Sequence, residues 1–257
     1  MQPQAFDSYA INYDDHFTNS LIGKTQREQV RKQLSRAIKN NVKSVLEINC
    51  GTGEDALWFS RKGLKVLATD ISEGMIEVAK QKTNDIEFRQ LNCVNIGSLP
   101  KGNYDLIFSN FGGLNCLNAN ELIQFRRACD VLQNKGNRLA FVIMGTQCWW
   151  ERIYFKSKKD KDRSTRRQNK KGVETIINGE KFKTYYYSPE YFVELFGDDY
   201  DYVISKPIGL FVPPSYLEPY FVKRKFLLGA LRVLDRIFSF SFFSNYADHY
   251  LIVFEKK

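Results

Sequence analysis

The sequence predicts an α/β fold built on a doubly wound, mostly parallel sheet of seven strands. Between about residues 44 and 146, short apolar runs alternate with segments of helical periodicity, which is the pattern of successive β-α-β units. A glycine turn, Gly51-Thr52-Gly53, connects the first apolar run directly to a helical segment. Because ligands of doubly wound sheets bind outside the carboxyl ends of the strands, this turn lies where a ligand would bind.

The strands and helices can be assigned in chain order from these patterns. The predicted strands are 44–48, 64–70, 86–92, 104–110, 137–144, 201–211 and 249–257, of which the last runs antiparallel. The predicted helices are 21–40, one from Glu54, 72–82 with Ser72 as its N-cap, 118–133, and one that begins near Ser188-Pro189. Asn178-Gly179 between two short β-like runs predicts a hairpin.

Length and composition favour a folded protein of one domain with insertions, or of one domain plus a small lid. Hydrophobic residues make up 43% of the 257 positions, which is enough for a core. The sequence has no run of about 18 apolar residues and its first residues are polar, so we expect a cytoplasmic protein. The cysteines have neither C-x-x-C nor histidine-rich spacing, which favours reduced, buried thiols and gives no metal site. They are Cys50, Cys93, Cys116, Cys129 and Cys148.

Most of the net charge of +9 lies in one segment, residues 156–171, which holds nine basic and two acidic residues. Such a block is typical of a solvated, mobile loop, and a patch that binds polyanions is the alternative. The segment contains no aromatic residue on which nucleic-acid bases could stack, so we do not expect a nucleic-acid partner.

Two acidic residues indicate what the glycine turn binds. Glu47, at the end of the first strand, would repel a pyrophosphate, and G-x-G-x-x-G is absent because asparagine and alanine occupy two of its glycine positions. An acid here suits a cofactor that carries an amino group. Asp70 ends the next strand, 23 residues after Glu47, where this fold places a carboxylate on ribose hydroxyls.

Four segments carry a family resemblance. "VLEINCGTGEDALWF" resembles motif I of the class I S-adenosylmethionine-dependent methyltransferases, and "ATDISEGMIEVAKQK" resembles their second motif. "LNCVNIGSLP" and "YDLIFSNFGGLN" resemble the third and fourth. The resemblance covers residues 1 to about 146 and, more loosely, the last strand. It implies the Rossmann-like methyltransferase fold, a small-molecule acceptor, S-adenosylmethionine as cofactor and S-adenosylhomocysteine as product.

The resemblance implies contacts to the amino-acid part of the cofactor. The backbone at Asn49, Gly51 and Gly53 would line this part, and Glu47 would orient its amino group through water or the backbone. Asn49 stands where the family motif has its first glycine. This departure bears on the affinity for the cofactor more than on its identity.

The resemblance also implies contacts to the nucleoside. Asp70 would bind both ribose hydroxyls, and Ile71 and Met75 would pack on the adenine. Asn92 and Cys93 would contact the adenine edge. They occupy a position where the family often has an aspartate, and the Asn92 amide can both accept and donate a hydrogen bond.

The N-terminal segment resembles the lid that precedes motif I in many small-molecule members. Tyr9 and Tyr13 are four residues apart and would share one helix face, from which they could close over the cofactor and bind its carboxylate. Arg27 is a second candidate for that carboxylate by its charge. The alternative for Arg27 is an exposed charge on a helix.

The resemblance implies that Asn110 and Phe111, at the end of the fourth strand, border the sulfonium and the transferred methyl group. Methyl transfer from a sulfonium needs mainly alignment, and a base is required only if the acceptor must lose a proton. The two histidines, His16 in the lid and His249 at the start of the last strand, are the candidate bases. Asp248 could orient His249, although neighbours on a strand point to opposite faces.

Four regions follow from this assignment. Residues 1–40 form the lid, 41–146 the S-adenosylmethionine-binding core, 147–187 a basic loop and hairpin insertion, and 188–257 the last strands with a helical insertion that covers the substrate. We expect Tyr216, Tyr220 and Phe221 to line the acceptor pocket.

A basic amphipathic helix is predicted within the last region. Its apolar stripe contains Phe226, Ala230, Val233, Leu234 and Ile237. Its cations, largely elsewhere around the helix, are Lys223, Arg224, Arg232 and Arg236. The stripe either caps the acceptor pocket or contacts a membrane surface peripherally. Both interpretations predict an apolar or aromatic acceptor.

These observations predict an enzyme that methylates a small organic acceptor, with oxygen favoured as the methylated atom. Carbon methylation of a quinone-like or lipid-linked acceptor is the alternative. A nucleic-acid methyltransferase that uses residues 156–171 is less favoured, because its typical N/D-P-P-Y is replaced by "NFGG". A cofactor-binding protein without catalytic activity also remains open, and the sequence gives no signal for an oligomeric state.

Overall fold

A computed structural model describes residues 4–101 and 104–257. The strands within these residues are β1 (Ser44–Ile48), β2 (Lys65–Asp70), β3 (Glu87–Gln90), β4 (Leu106–Ser109), β5 (Arg138–Met144), β6 (Val173–Ile177), β7 (Glu180–Thr184), β8 (Tyr200–Ile208) and β9 (His249–Lys256). Seven of them form one sheet in the order β3-β2-β1-β4-β5-β9-β8, and β6 and β7 form a separate hairpin. Strands β1 to β5 are parallel, and β9 is antiparallel to both neighbours, which confirms the predicted fold class.

The helices of the described residues connect these strands and cover both faces of the sheet. They are α1 (Gln4–Asp7), α2 (Ala10–Tyr13), α3 (Leu21–Ala37), α4 (Glu54–Ser60), α5 (Glu73–Lys82), α6 (Ala119–Leu132), α7 (Trp149–Ser157), α8 (Lys161–Thr165), α9 (Pro189–Phe196), α10 (Glu218–Phe221) and α11 (Lys225–Ile237). A short π-helical turn, Asp14–Thr18, follows α2. No helix in these two ranges is both long and apolar enough to cross a bilayer.

Strand periodicity divides the core into two apolar layers. On β4, Ile107 packs into one layer and Phe108 into the other, because successive side chains of a strand point to opposite faces. The first layer includes Phe125 of α6 and Phe196 of α9. The second includes Phe59 of α4, together with residues of α3 and α5. The sheet is therefore covered on both faces, which explains its nearly continuous apolar strands.

Local signals set the ends of several elements. Ser72 accepts a hydrogen bond from the Met75 N–H (3.1 Å) and caps α5, and Ser188 caps α9 in the same way. The β6–β7 hairpin turns at Asn178 and Gly179, which have φ angles of 48° and 83°. Both lie in the left-handed region that this two-residue turn requires, so the predicted hairpin is confirmed.

The carboxyl ends of the central strands meet at one edge of the sheet. Ile48 pairs with Thr69 on one side and with Ser109 on the other, so the residues that follow β1, β2 and β4 lie in a row. Because β9 is antiparallel, its first residue, His249, pairs with Met144 at the end of β5 and lies at the same edge. The strand order reverses between β1 and β4, which is where such folds bind ligands.

Residues 156–171 contain short helices and are anchored at Arg167, where we predicted a mobile loop, but most of their side chains are exposed as predicted. They contain the end of α7, all of α8 and a short turn of 3-10 helix that includes Arg167. Arg167 is buried, and it donates hydrogen bonds to Glu151 (3.0 Å) and to the side chain of Asp248 (2.7 Å). Part of the basic charge of this segment is therefore neutralised inside the protein.

We expect Arg167→Ala to lower the free energy of unfolding by about 3 kcal/mol, because Asp248 and Glu151 would lose a buried cationic partner. Chemical denaturation measures this loss. Lys170→Ala removes the same charge from an exposed position of the segment and should change stability by less than about 0.5 kcal/mol. Equal stability of the two variants would show that the segment is not anchored through Arg167.

Candidate active site

A cleft lies at the carboxyl edge of β1, β2 and β4 and has a volume of about 530 Å³, its open mouth included. It brings together eight of the predicted cofactor residues from four separate parts of the chain. Its lining residues are Phe6, Tyr13, Asn49, Gly51, Asp70, Ile71, Met75, Asn110, Phe111, Gly112, Gly113 and Cys116.

The glycine turn has three residues in the left-handed region, with φ angles of 53° at Asn49, 52° at Gly51 and 78° at Gly53. A side chain at Gly53 would also approach the Phe88 ring to 2.9 Å. Asparagine tolerates this conformation better than most residues with a side chain, which explains how Asn49 can replace a glycine. Its amide donates to Ser109 Oγ (3.3 Å) and thereby ties the turn to β4.

Asp70 is a buried carboxylate that lines the cleft. One of its oxygens accepts a hydrogen bond from the Gly51 N–H (2.8 Å) and the other accepts one from the Ser72 N–H (2.9 Å). Burial raises the pKa of the carboxyl, and the backbone donors partly offset this effect. Each oxygen retains acceptor capacity, so the pair can bind two hydroxyl groups of a ligand.

Glu47 lies at the end of β1 and is 2% exposed. Its Oε2 atom has no hydrogen-bond partner among the residues that the structure describes. Burial raises the pKa of this carboxyl well above its usual range, and the charge of Asp55 adds to the effect. Neither Glu47 nor Gly53 is among the residues that line the cleft, so a cationic group of a ligand in the cleft would interact with Glu47 only through water or the backbone.

Asp55, in the first turn of α4, forms the main ion cluster of the site and was not predicted from the sequence. It accepts hydrogen bonds from Arg27, from Arg31 (2.9 Å) and from the Asn110 amide (2.7 Å), and it is 2% exposed. Arg27 and Arg31 are four residues apart on α3, a spacing that could have suggested a shared acidic partner.

The position of Arg27 corrects one expectation. Arg27 is buried and paired with Asp55, so it is not an exposed helix charge. It does not line the cleft in which we expected it to bind a carboxylate. Its guanidinium lies 5.0 Å from the centre of the Phe111 ring, which lines the cleft. The ion pair of Arg27 and Asp55 therefore lies behind this ring.

The N-terminal segment is held to the core by two carboxylates. Asp7 accepts hydrogen bonds from the Ser72 hydroxyl and from the Gly74 N–H (3.1 Å) at the start of α5. A side chain at Gly74 would come within 3.0 Å of the Asp7 backbone, so glycine permits this close approach. Asp14 accepts a hydrogen bond from the Thr52 hydroxyl (2.6 Å) in the glycine turn. The segment therefore closes one side of the cleft.

The aromatic residues of this segment lie in different environments. Tyr13 lines the cleft beside Gly51, and burial raises its pKa to about 12. Tyr9 packs against Tyr13 with 5.8 Å between ring centroids, but it does not line the cleft. His16 is exposed and stacks on the outer side of Tyr9 at 5.5 Å. The structure thus brings only Tyr13 of these three to the cleft.

Phe111 connects the cleft to the residues behind it. It has a φ angle of 45°, which is rare for a residue other than glycine and typical of constrained functional sites. Its ring contacts Phe17 (4.8 Å between centroids) and His249 (5.5 Å). His249 therefore lies behind Phe111 and is not among the residues that line the cleft.

His249 and Asp248 are close together, although sequence reasoning made this pairing doubtful. The His249 Nδ1 atom lies 3.2 Å from Asp248 Oδ2, but within the described chain it forms no well-aligned hydrogen bond. The strand rule does not apply because Asp248 precedes β9 and is not part of it. Burial by itself would raise the pKa of the Asp248 carboxyl. His249 and Arg167 outweigh this effect and hold the pKa well below its usual range.

Asn92 and Cys93 lie beside the cleft and do not line it. Asn92 caps a short 3-10 helix, and its amide oxygen accepts a hydrogen bond from the Val94 N–H (3.2 Å). This oxygen therefore already serves the backbone. Cys93 is buried, and burial raises the pKa of its thiol to about 12.

The predicted acceptor residues lie elsewhere. Tyr216 and Tyr220 pack against Tyr154 at 6.1 and 6.4 Å between ring centroids, and Phe221 packs against Trp150 at 6.3 Å. None of the three predicted residues lines the cleft. The predicted apolar stripe of α11 is largely exposed and contributes no residue to this cleft, so it does not cap it.

A second cleft adjoins the first and shares Phe6 and Cys116 with it. It has a volume of about 910 Å³, its open mouth included, and sequence reasoning did not identify it. It combines charged residues with aromatic rings. Its lining residues are Phe6, Cys116, Asn118, Glu121, Glu174, Lys181, Phe182, Lys183 and Tyr185.

Residues 45–136 match the family model of a methyltransferase domain. Malonyl-[acyl-carrier protein] O-methyltransferase of Priestia megaterium is 36% identical over 108 residues, which are 41% of this chain and 38% of that protein. Demethylmenaquinone methyltransferase of Oceanobacillus iheyensis is 29% identical over 115 residues, 42% of this chain and 48% of that protein. The chain thus spans less than half the length of these curated relatives.

The fold is similar to that of solved structures over nearly the whole chain. The DhpI–SAH complex has a TM-score of 0.58 and 16% sequence identity, and the match covers 99% of this chain and 95% of that one. At this level of identity the likeness establishes the fold alone.

We expect Asp7→Ala to release the N-terminal segment from α5, because Ser72 and Gly74 would lose a charged acceptor at the start of the helix. Chymotrypsin should then cleave at Tyr9 and Tyr13 about tenfold faster than in the wild type. Asp15→Ala, at an exposed position of the same segment, should leave the cleavage rate unchanged. Equal rates for both variants would contradict the assigned role of Asp7.

Proposed function

We propose that the chain is a class I S-adenosylmethionine-dependent methyltransferase that transfers a methyl group from S-adenosylmethionine to a small organic acceptor, since residues 45–136 match the family model of a methyltransferase domain and part of the chain is similar to an O-methyltransferase. One observation carries this proposal above the others. A strained glycine turn, a buried acid with an unpartnered oxygen (Glu47) and a second acid that lines the cleft (Asp70) meet at the strand-order reversal. This combination suits a ligand with an ammonium group at one end and ribose hydroxyls farther along.

Different residues of the first cleft would bind different parts of the cofactor. Asp70 would accept hydrogen bonds from the ribose hydroxyls, and Ile71 and Met75 would pack on the adenine. Glu47 would neutralise the ammonium group, through water or the backbone. When bound, S-adenosylmethionine supplies an electrophilic methyl group on a sulfonium. Tyr13, half-buried beside Gly51, would exclude water from one side of the ligand.

The wall of the cleft near Phe111 would help to align the acceptor with the methyl group of the cofactor. Phe111 and Phe17 present rings at the end of β4, and the charge of Arg27 behind them is matched by Asp55. A wall of aromatic rings, with the cation behind it paired to a carboxylate, favours a displacement in which alignment and exclusion of water lower the barrier. His249 contacts Phe111 and is the better placed of the two candidate bases, since His16 is exposed on the outer side of the lid.

The acceptor would bind in the second cleft, which adjoins the first at Phe6 and Cys116. Phe182 and Tyr185 would pack on an aromatic or apolar body, while Lys181 would bind its polar substituents. Oxygen is our favoured methylated atom, supported by the similarity to an O-methyltransferase. The similarity to demethylmenaquinone methyltransferase supports methylation of a quinone-like ring carbon as the second candidate.

We do not propose nucleic acid as the methyl acceptor. Of the basic residues in 156–171, Arg166 and Arg167 bind Glu151, and Arg167 also binds Asp248. These internal ion pairs weaken the basic patch that a nucleic-acid methyltransferase would need.

Incubation with S-adenosylmethionine and a small-molecule extract, followed by mass spectrometry, tests the function. Release of S-adenosylhomocysteine together with a product heavier by one methyl group supports it, and the fragmentation pattern distinguishes oxygen from carbon methylation. Cofactor binding without release of S-adenosylhomocysteine in any extract would instead identify a cofactor-binding protein without catalytic activity.

We expect Asp70→Ala to weaken S-adenosylmethionine binding about tenfold to a hundredfold, because the ribose hydroxyls would lose a charged hydrogen-bond partner. Isothermal titration calorimetry measures the affinity, and thermal unfolding checks that the variant is folded. Asp85→Ala changes an exposed aspartate between α5 and β3 and should bind as the wild type does. Wild-type affinity in a folded Asp70→Ala variant would rule out the cofactor assignment.

Glu47 should make cofactor binding dependent on pH. Its raised pKa keeps the carboxyl protonated above the ordinary range of glutamate in the free protein, whereas the ammonium group needs the ionised form. Affinity should therefore rise with pH between the ordinary and the raised pKa, with release of a proton on binding. Calorimetry in buffers of different ionisation enthalpy measures this proton. Glu47→Gln should abolish the release and Glu77→Gln, at an exposed position of α5, should retain it.

A further inference from the structure

Helix α11 is held against the protein by one of its three faces. Leu228 is buried and Leu231 is half-buried in a small apolar cluster near α10. One turn farther on, the buried carboxylate of Asp235 accepts hydrogen bonds from the backbone N–H groups of Phe211 (2.7 Å) and Val212 (3.3 Å). These contacts fix the rotation of the helix about its axis, so the directions of its other two faces are also fixed.

A second face of α11 is apolar and exposed. Phe226 is 93% exposed, and Val233 and Ile237 follow it at helical spacing with side chains that also lie open. After the helix, Phe240 lies beside Ile237 of this face, and Phe242, two residues farther along the chain, is 75% exposed. Bulky side chains that protrude together from one surface are typical of a docking site and not of ordinary solvent-exposed surface.

The third face is basic and forms a groove with α3. Lys32 and Arg36 of α3 lie opposite Arg232 and Arg236 of α11. The positive charge is concentrated enough that Arg236, ahead of the other cations, lowers the pKa of Lys32. Glu28 pairs with Arg232, while Arg36 and Arg236 remain exposed at the rim. The groove therefore carries excess positive charge.

The basic groove and the apolar face form one continuous surface. Arg36 and Arg236 also line an adjacent depression, together with Ile237 and Phe240 of the apolar face. Lys206, which donates to the Ser239 carbonyl (2.8 Å), adds a further cation to this depression. The surface thus combines side chains that could enter an apolar phase with cations at its border.

We propose that this surface, formed by α11, residues 240–242 and the basic side chains of α3, docks onto an anionic phospholipid bilayer. Phe226, Ile237 and Phe242 enter the boundary between head groups and acyl chains, and Arg36 and Arg236 bind the lipid phosphates. A second copy of the chain fits less well, because the same cations would face each other across a symmetric interface. The proposal does not depend on which acceptor is methylated.

Vesicle flotation at low salt tests the docking. The protein should float with vesicles that contain phosphatidylglycerol in phosphatidylcholine, and the bound fraction should rise with anionic lipid and fall with added salt. Phe226→Ser/Ile237→Ser and Arg36→Gln/Arg236→Gln should each weaken binding about tenfold or more. All four positions are exposed, so both variants should remain folded.

Matched variants elsewhere serve as controls. Ile153→Ser changes an isoleucine of α7 that is 68% exposed, and Lys170→Gln/Lys171→Gln removes two charges from the basic segment. Both should bind vesicles as the wild type does.

Three results would overturn the proposal. The first is absence of flotation with anionic vesicles at low salt. The second is flotation that is lost in Lys170→Gln/Lys171→Gln and kept in Arg36→Gln/Arg236→Gln. The third is a stable dimer in analytical ultracentrifugation that Phe226→Ser/Ile237→Ser dissociates, since the apolar face would then be an interface between two copies.

Discussion

The buried carboxylate of Asp55 is the interaction on which the geometry of the site depends. It lies in the first turn of α4, directly after the glycine turn, and it binds Arg27 and Arg31 of α3 together with the Asn110 amide at the end of β4. A buried charge is tolerated only when it is paired and hydrogen-bonded, so these elements must assemble together. The glycine turn, helix α3 and the end of β4 that forms a wall of the cleft therefore have fixed relative positions.

This arrangement also determines the charge that a ligand encounters. Arg27, which lies behind the ring of Phe111, is paired with Asp55, which it shares with Arg31. Glu47 retains an unpartnered oxygen, and Asp70 still has acceptor capacity at the cleft. The site is therefore acidic where the resemblance to methyltransferases implies an ammonium group and hydroxyls, and neutral where it implies the reacting methyl group.

Buried ion pairs connect distant parts of the chain at this same edge of the sheet. Arg167 joins the basic segment to Glu151 and to Asp248 beside β9. In addition, the half-buried carboxylate of Glu218 accepts hydrogen bonds from the first backbone N–H groups of α3, which is not an ion pair. The surface of α11 is organised differently, since its outward side has exposed aromatic rings and unmatched cations. One side of the molecule is thus held together by internal ion pairs, and another side exposes cations and apolar side chains.

The sequence by itself determined the strand and helix order, the antiparallel last strand, the Asn178-Gly179 turn and the residues that line most of the cleft. These features depend on side-chain periodicity, turn conformation and short motifs, which act within a few neighbouring residues. Only the tertiary structure decided which charges pair, because Arg27 and Asp55 are 28 residues apart and Arg167 and Asp248 are 81 apart. It also decided the exposure of α11, since helical periodicity defines which residues share a face but not what that face contacts.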